Sequence, residues 1–137
     1  MIPDQLYRDI LRQLPLLCVD IIVESADGRY LLVRRRNEPL MGDYWVIGGR
    51  ILHQEKAEDA ALRKLKEEAG LTPESLEFAG YYQDVFDRNS FESGIAYHTL
   101  SLVFRTKVDS KARIVLDSQS SDFVWAEALP QRLRINR

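Results

Sequence analysis

The alternation of apolar and polar positions divides the chain into a run of short elements. Residues 3–14 (PDQLYRDILRQL) place Leu6, Ile10 and Leu14 at helical spacing behind Pro3, a residue suited to a first turn. Pro15 ends that segment. Residues 16–24 (LLCVDIIVE) form a mostly apolar, β-branched run, the pattern of a buried strand. Asp27-Gly28 is a strong hairpin signal, so residues 29–34 read as the returning strand. Residues 36–44, with Pro39 and Gly42, read as a loop. Residues 45–47 read as a short strand leading into Gly48-Gly49. Ala61, Leu62, Leu65 and Ala69 give residues 57–69 one apolar face, and Gly70 is a natural residue just past a helix end. Residues 76–87 and 95–108 read as two longer strands around a polar loop at residues 88–94. Residues 122–126 make a last short strand, and Glu127–Leu129 can begin a final helix that the chain's end keeps short. A mixed sheet packed against helices follows from this order.

Composition narrows the class. A chain of 137 residues with 45% hydrophobic and 29% charged residues suits one soluble globular domain. A net charge of −2 gives no sign of a nucleic-acid-binding surface. No apolar run approaches the roughly 20 residues that span a bilayer. The N-terminus carries Asp4 and Asp9 and has no signal-peptide core, so the cytoplasm is the expected compartment. Cys18 is the single cysteine, which excludes an internal disulfide and a cysteine zinc site; its apolar neighbours suit a buried, inert thiol.

The chemistry is concentrated in GRILHQEKAEDAALRKLKEEAGL, residues 49–71. Gly49, Glu55, Arg63, Leu65, Glu67, Glu68, Gly70 and Leu71 all fit G-x5-E-x7-R-E-U-x-E-E-x-G-U, where U is bulky and aliphatic. Lys64 stands where the pattern has a glutamate. On these residues the chain resembles the Nudix hydrolases. The resemblance implies one domain over residues 1–137, with an N-terminal helix within residues 1–15 and the box over residues 49–71. It sharpens the fold to an α/β/α sandwich with a mixed sheet and the box as a loop-helix-loop. It also implies metal-assisted hydrolysis of a nucleoside diphosphate joined to another group.

Magnesium prefers one or two carboxylates, with water and phosphate oxygens completing its octahedron. Helix residues three or four apart share a face, so the box carboxylates converge on metal. With Lys64 in place, Glu67 and Glu68 remain, each with a cation four residues earlier. Two exposed ion pairs of about 0.3 kcal/mol each are the plain alternative for such spacing. The resemblance makes Arg63 and Glu55 structural supports of the loop.

A nearer resemblance is to the GDP-mannose mannosyl hydrolase branch. It rests on LLCVDIIVESADGRYLLVRRRNEP, YWVIGGR and DSQSSDFVWAEAL, running with the box from about Leu6 to Leu129. In that branch water attacks the anomeric carbon of the sugar, giving GDP and free mannose. Arginines and a metal make GDP the better leaving group, and a base takes the water's proton as in inverting glycosidases. The resemblance makes Glu68, the Gly48 carbonyl and Gln119 the ligands of Mg²⁺, with Mn²⁺ as the alternative ion. Arg35 and Arg50 match arginines at the diphosphate, and Asp20 matches an aspartate at the substrate site. A carboxylate in an apolar strand needs a partner or a ligand, which favours a site role for Asp20. Homodimers are the branch's usual state, and the N-terminal helix either meets a second subunit or covers its own sheet. A small-molecule nucleotide is the expected partner, with no nucleic acid and no membrane.

The resemblance breaks at the proton acceptor. Ser120 stands where the branch has a histidine, and Thr99 where it has a tyrosine that helps the leaving group. His53, His98 and Glu67 are the remaining candidates for the base. Glu67 fits the ordinary box, so phosphorus attack on a nucleotide sugar, ADP-ribose or a nucleoside triphosphate is the alternative reaction. A non-catalytic nucleotide-binding domain is the third reading.

Overall fold

The computed structural model describes residues 2–37 and 41–137; part of the expected loop, Pro39 included, lies outside them. Among the described residues nine elements follow one another: α1 (Asp4–Gln13), β1 (Leu16–Ser25), β2 (Tyr30–Arg35), β3 (Tyr44–Trp45), β4 (Ile47–Arg50), α2 (Ala57–Ala69), β5 (Glu77–Phe86), β6 (Tyr97–Val108) and β7 (Ser120–Ala126). All seven strands join one mixed sheet, as expected of the fold, with the order β3-β2-β1-β6-β5 and with β4 paired to β1 and β7 to β2.

β1 is the spine. It runs parallel to β6 from Leu16↔Thr99 to Ser25↔Val108. Its other edge is shared. β4 lies antiparallel to residues 18–21, whereas β2 meets β1 only at Glu24↔Tyr30. The turn at Asp27-Gly28, with Gly28 at φ 83°, therefore opens a wide hairpin. Beyond it β2 pairs with β7 along its length. The sequence read one strand ending before Gly48-Gly49; instead those glycines are strand residues, with Gly48 opposite Asp20 and Gly49 opposite Val19.

Side chains alternate across β1. Val19, Ile21 and Val23 join Ala60, Ala61, Leu65 and Ala69 of α2 in one core. Ile22 points the other way, into a second core with Leu32, Trp45, Val46, Tyr82, Val103 and Leu133. Leu62, read as a core position, is 40% exposed, and Ala60 fills the helix face instead. α2 ends at Gly70, left-handed at φ 68°, as its position past the helix suggested. On α1 only Leu11 is buried.

The last expected helix does not form. Leu129 precedes Pro130, whose ring disfavours the helical conformation of the residue before it. The chain instead runs along the edge of the sheet, where Asn136 and Tyr81 exchange two backbone hydrogen bonds of 2.8 Å. Leu133 seals the second core from there.

Candidate active site

A cleft of about 190 Å³ opens on the face of the sheet away from α2. Strand alternation builds it. Leu16, Cys18 and Asp20 come from β1; Tyr97, Thr99 and Ser101 from β6; Tyr82 and Asp84 from β5. Arg35, Arg50, Gly48, Gly49, Trp45 and Tyr7 complete the wall. The sheet thus brings Asp20 of β1, Arg35 of β2, and Gly48 and Arg50 of β4 together from three separate stretches of sequence.

Asp20 is the electrostatic centre. It is 6% exposed, and its carboxyl accepts hydrogen bonds from the Trp45 and Ser101 side chains. Burial pushes its pKa up to about 7, against the pull of those bonds and of the Arg35 guanidinium; Asp84 adds to the rise. Gly48 is required here, because a Cβ would lie 2.4 Å from both Asp20 Oδ1 and the Val19 carbonyl oxygen. Arg50 stacks over the Tyr7 ring at 5.1 Å, which ties α1 to the cleft rim. Arg35 lines the cleft and acts electrostatically on Asp20, Cys18 and Tyr7 there, and also on Glu68. Cys18 is half-buried and lines the cleft, and burial raises its thiol to about 12, so it stays protonated and inert.

The sequence did not single out the floor of the cleft. Asp84 is 11% exposed and ion-paired with Arg132, whose guanidinium also lies 3.9 Å over the Phe86 ring. Tyr82 hydrogen-bonds with both, and burial lifts its hydroxyl to about 12. The two-residue alternation Tyr97, Thr99, Ser101 along β6, matched by Tyr82 and Asp84 along β5, was the available signal.

The box loop is braced from α2. Arg63 reaches Glu55 through Nε–Oε2 at 2.8 Å and Nη2–Oε1 at 3.0 Å, and Nη2 also donates to the Arg50 carbonyl at 2.9 Å. Glu55 Oε1 accepts from the Leu52 N–H at 3.0 Å. The guanidinium holds the Glu55 carboxyl below its ordinary range. This network fixes the backbone that carries Arg50.

The other expected residues lie elsewhere. Glu67 is half exposed and pairs with Arg63 at 3.2 Å and Lys64 at 3.7 Å, outside the cleft wall. Glu68 is 4% exposed, with the Lys64 ammonium 3.2 Å from its Oε1. Gln119 is exposed, and its side-chain oxygen accepts from Asn37 Nδ2 at 2.9 Å. Ser120 is buried and paired with Arg35 across β7 and β2. His53 and His98 are exposed and outside the cleft wall; His98 lies between two cleft residues on β6, so its side chain takes the opposite face.

Comparison with known proteins places the chain. Residues 14–132 match the NUDIX domain model, so the chain belongs to the Nudix family. It is 30% identical to the low-salt glycan biosynthesis protein Agl8 of Haloferax volcanii, over 88% of this chain and 76% of that protein. It is 31% identical to an ADP-ribose pyrophosphatase of Methanocaldococcus jannaschii, over 85% of this chain and 66% of that protein. The structure superimposes on a MutT NUDIX hydrolase from Burkholderia pseudomallei with a TM-score of 0.72 at 23% identity, covering 89% and 92% of the two chains. The protein is thus a Nudix hydrolase by family, and among the described residues no helix is long and apolar enough to cross a membrane.

Nudix hydrolases generally use a divalent metal such as Mg²⁺. The donor set here does not fit one at Glu68. The ammonium of Lys64 sits on that carboxylate, and the Gln119 oxygen is turned to Asn37.

Proposed function

We propose that this protein hydrolyses a nucleoside diphosphate sugar, GDP-mannose being the leading candidate, to the nucleoside diphosphate and the free sugar. The observation that carries the reading is Asp20, a buried carboxyl near neutrality, in one cleft with Arg35 and Arg50. The two guanidiniums meet the diphosphate and stabilise the charge that grows on it as the bond breaks. Asp20 takes the proton of the attacking water, a role suited to a group whose pKa lies near the working pH. The water oxygen bonds to the anomeric carbon. The bond from that carbon to the phosphate oxygen breaks, and its electron pair leaves with the nucleoside diphosphate. Asp20 thereby replaces the histidine that the branch has where Ser120 stands. Glu67, turned to Arg63, is a support in this scheme and not the base.

The Haloferax relative's role in glycan biosynthesis agrees with a sugar substrate. The Methanocaldococcus relative favours a second reading, cleavage of a P–O bond in an ADP-ribose-like substrate. Product analysis separates them. Incubation with GDP-mannose, ADP-ribose and other nucleotide sugars in Mg²⁺ buffer, followed by anion-exchange chromatography, is expected to give GDP from GDP-mannose. GMP with mannose 1-phosphate, or AMP with ribose 5-phosphate as the main turnover, supports the second reading instead. Binding without turnover of any nucleotide supports a non-catalytic domain. We also propose a homodimer, since Leu6 and Leu14 of the α1 stripe are 51% and 61% exposed beside Leu17 at 56%.

A further inference from the structure

We propose that Lys64 is the resident cation of the box helix, an ammonium tethered on Glu68 in the place where a divalent ion would otherwise be held. Glu68 is 4% exposed, and a carboxylate withdrawn from water needs an opposite charge. Lys64 supplies it at 3.2 Å and reaches Glu67 at 3.7 Å with the same nitrogen. The Lys64 side chain is itself only 14% exposed. Its stem is seated against the backbone of the box entry, since a Cβ on Gly49 would lie 2.6 Å from Lys64 Cε. The slot beside Gly49 is therefore filled by methylenes, and the ammonium at their end sits behind the cleft wall. This is a packed side chain and not a solvated helix pair.

A divalent ion approaching Glu68 meets this charge at contact distance. It has either to displace the lysine from its packed position or to share a carboxylate with it, and like charges at such separations repel strongly when partly buried. Arg35, which also acts on Glu68, adds a second positive charge, and Asp117 acts there as an acidic group. Replacing the box glutamate by lysine thus builds the counter-charge of Glu68 into the chain. The inference concerns ion occupancy alone and stands apart from the choice of substrate.

The test is Mn²⁺ binding, followed by the electron paramagnetic resonance signal of the free ion, on the intact protein without nucleotide. Glu68→Gln keeps the shape of the side chain and still accepts from Lys64. In the otherwise unchanged protein it is expected to leave Mn²⁺ affinity within twofold. Lys64→Glu, which restores the box pattern, is expected to tighten Mn²⁺ binding at least tenfold, and adding Glu68→Gln to it is expected to remove the gain. Circular dichroism establishes that each variant is folded. A tenfold loss of Mn²⁺ affinity on Glu68→Gln alone overturns the proposal, as does a folded Lys64→Glu protein that binds no tighter than the parent. If Lys64→Glu does not fold, the Glu68→Gln comparison decides by itself.

Discussion

Asp20→Asn makes stability and activity move in opposite directions, and the structure sets the size of the effect. The Asp20 carboxyl rises from 3.8 to about 7 on folding, with burial the leading cause. Between those values the folded state holds a proton that the unfolded state has lost. The contribution is therefore fully favourable below the unfolded value and is lost as pH rises through about 7. About two pH units of that window lie between pH 5 and pH 7, and at about 1.4 kcal/mol per unit holding that proton on folding costs about 3 kcal/mol more at the upper end. Asparagine keeps the shape and never ionises. Its oxygen accepts from Trp45, and the Ser101 hydroxyl can turn to accept from its amide. Urea unfolding of the two proteins at about pH 5 and pH 8 measures the difference. The variant is expected to gain on the parent by about 2–3 kcal/mol across that range, while hydrolysis falls at least about 100-fold with the base removed. A stability difference that stays flat with pH refutes the buried, near-neutral carboxyl and with it the assignment of Asp20 as base.

Other expectations follow from the same geometry. Arg50→Ala and Arg35→Ala each lower kcat/KM by about 100-fold through loss of charge at the diphosphate, while circular dichroism spectra stay unchanged. Arg63→Ala frees Glu55 and the Arg50 carbonyl together and lowers stability by about 1–3 kcal/mol in urea unfolding; a variant as stable as the parent contradicts the bracing role. Gly48→Ala, which forces a methyl group onto the Val19 carbonyl and Asp20, costs about 1–3 kcal/mol and reduces turnover with it.

Local pattern and non-local pairing differ in how far they can be read from the chain. The box helix was legible to the residue because Leu65 and Ala69 mark one face and Gly70 stops it. β1 was legible because its apolar run exceeds what a half-exposed strand carries. Asp20 stood out against that run for a physical reason, the cost of a carboxylate among apolar neighbours. The cleft floor was hidden because it depends on register: Ser101 and Trp45 reach Asp20 only through the pairing of β6 and the β3–β4 segment with the rest of the sheet. The strand character of Gly48-Gly49 was missed because glycine carries no strand pattern, and its reason is the close approach to Asp20. The absent final helix was foreshadowed by Leu129-Pro130, a local signal that three helix-compatible residues outweighed.

The claim that water attacks carbon and not phosphorus is tested most directly by hydrolysis of GDP-mannose in ¹⁸O-labelled water, with mass analysis of both products. The account predicts label in the free mannose and none in GDP. Label on a phosphate, in GMP or in mannose 1-phosphate, would contradict it.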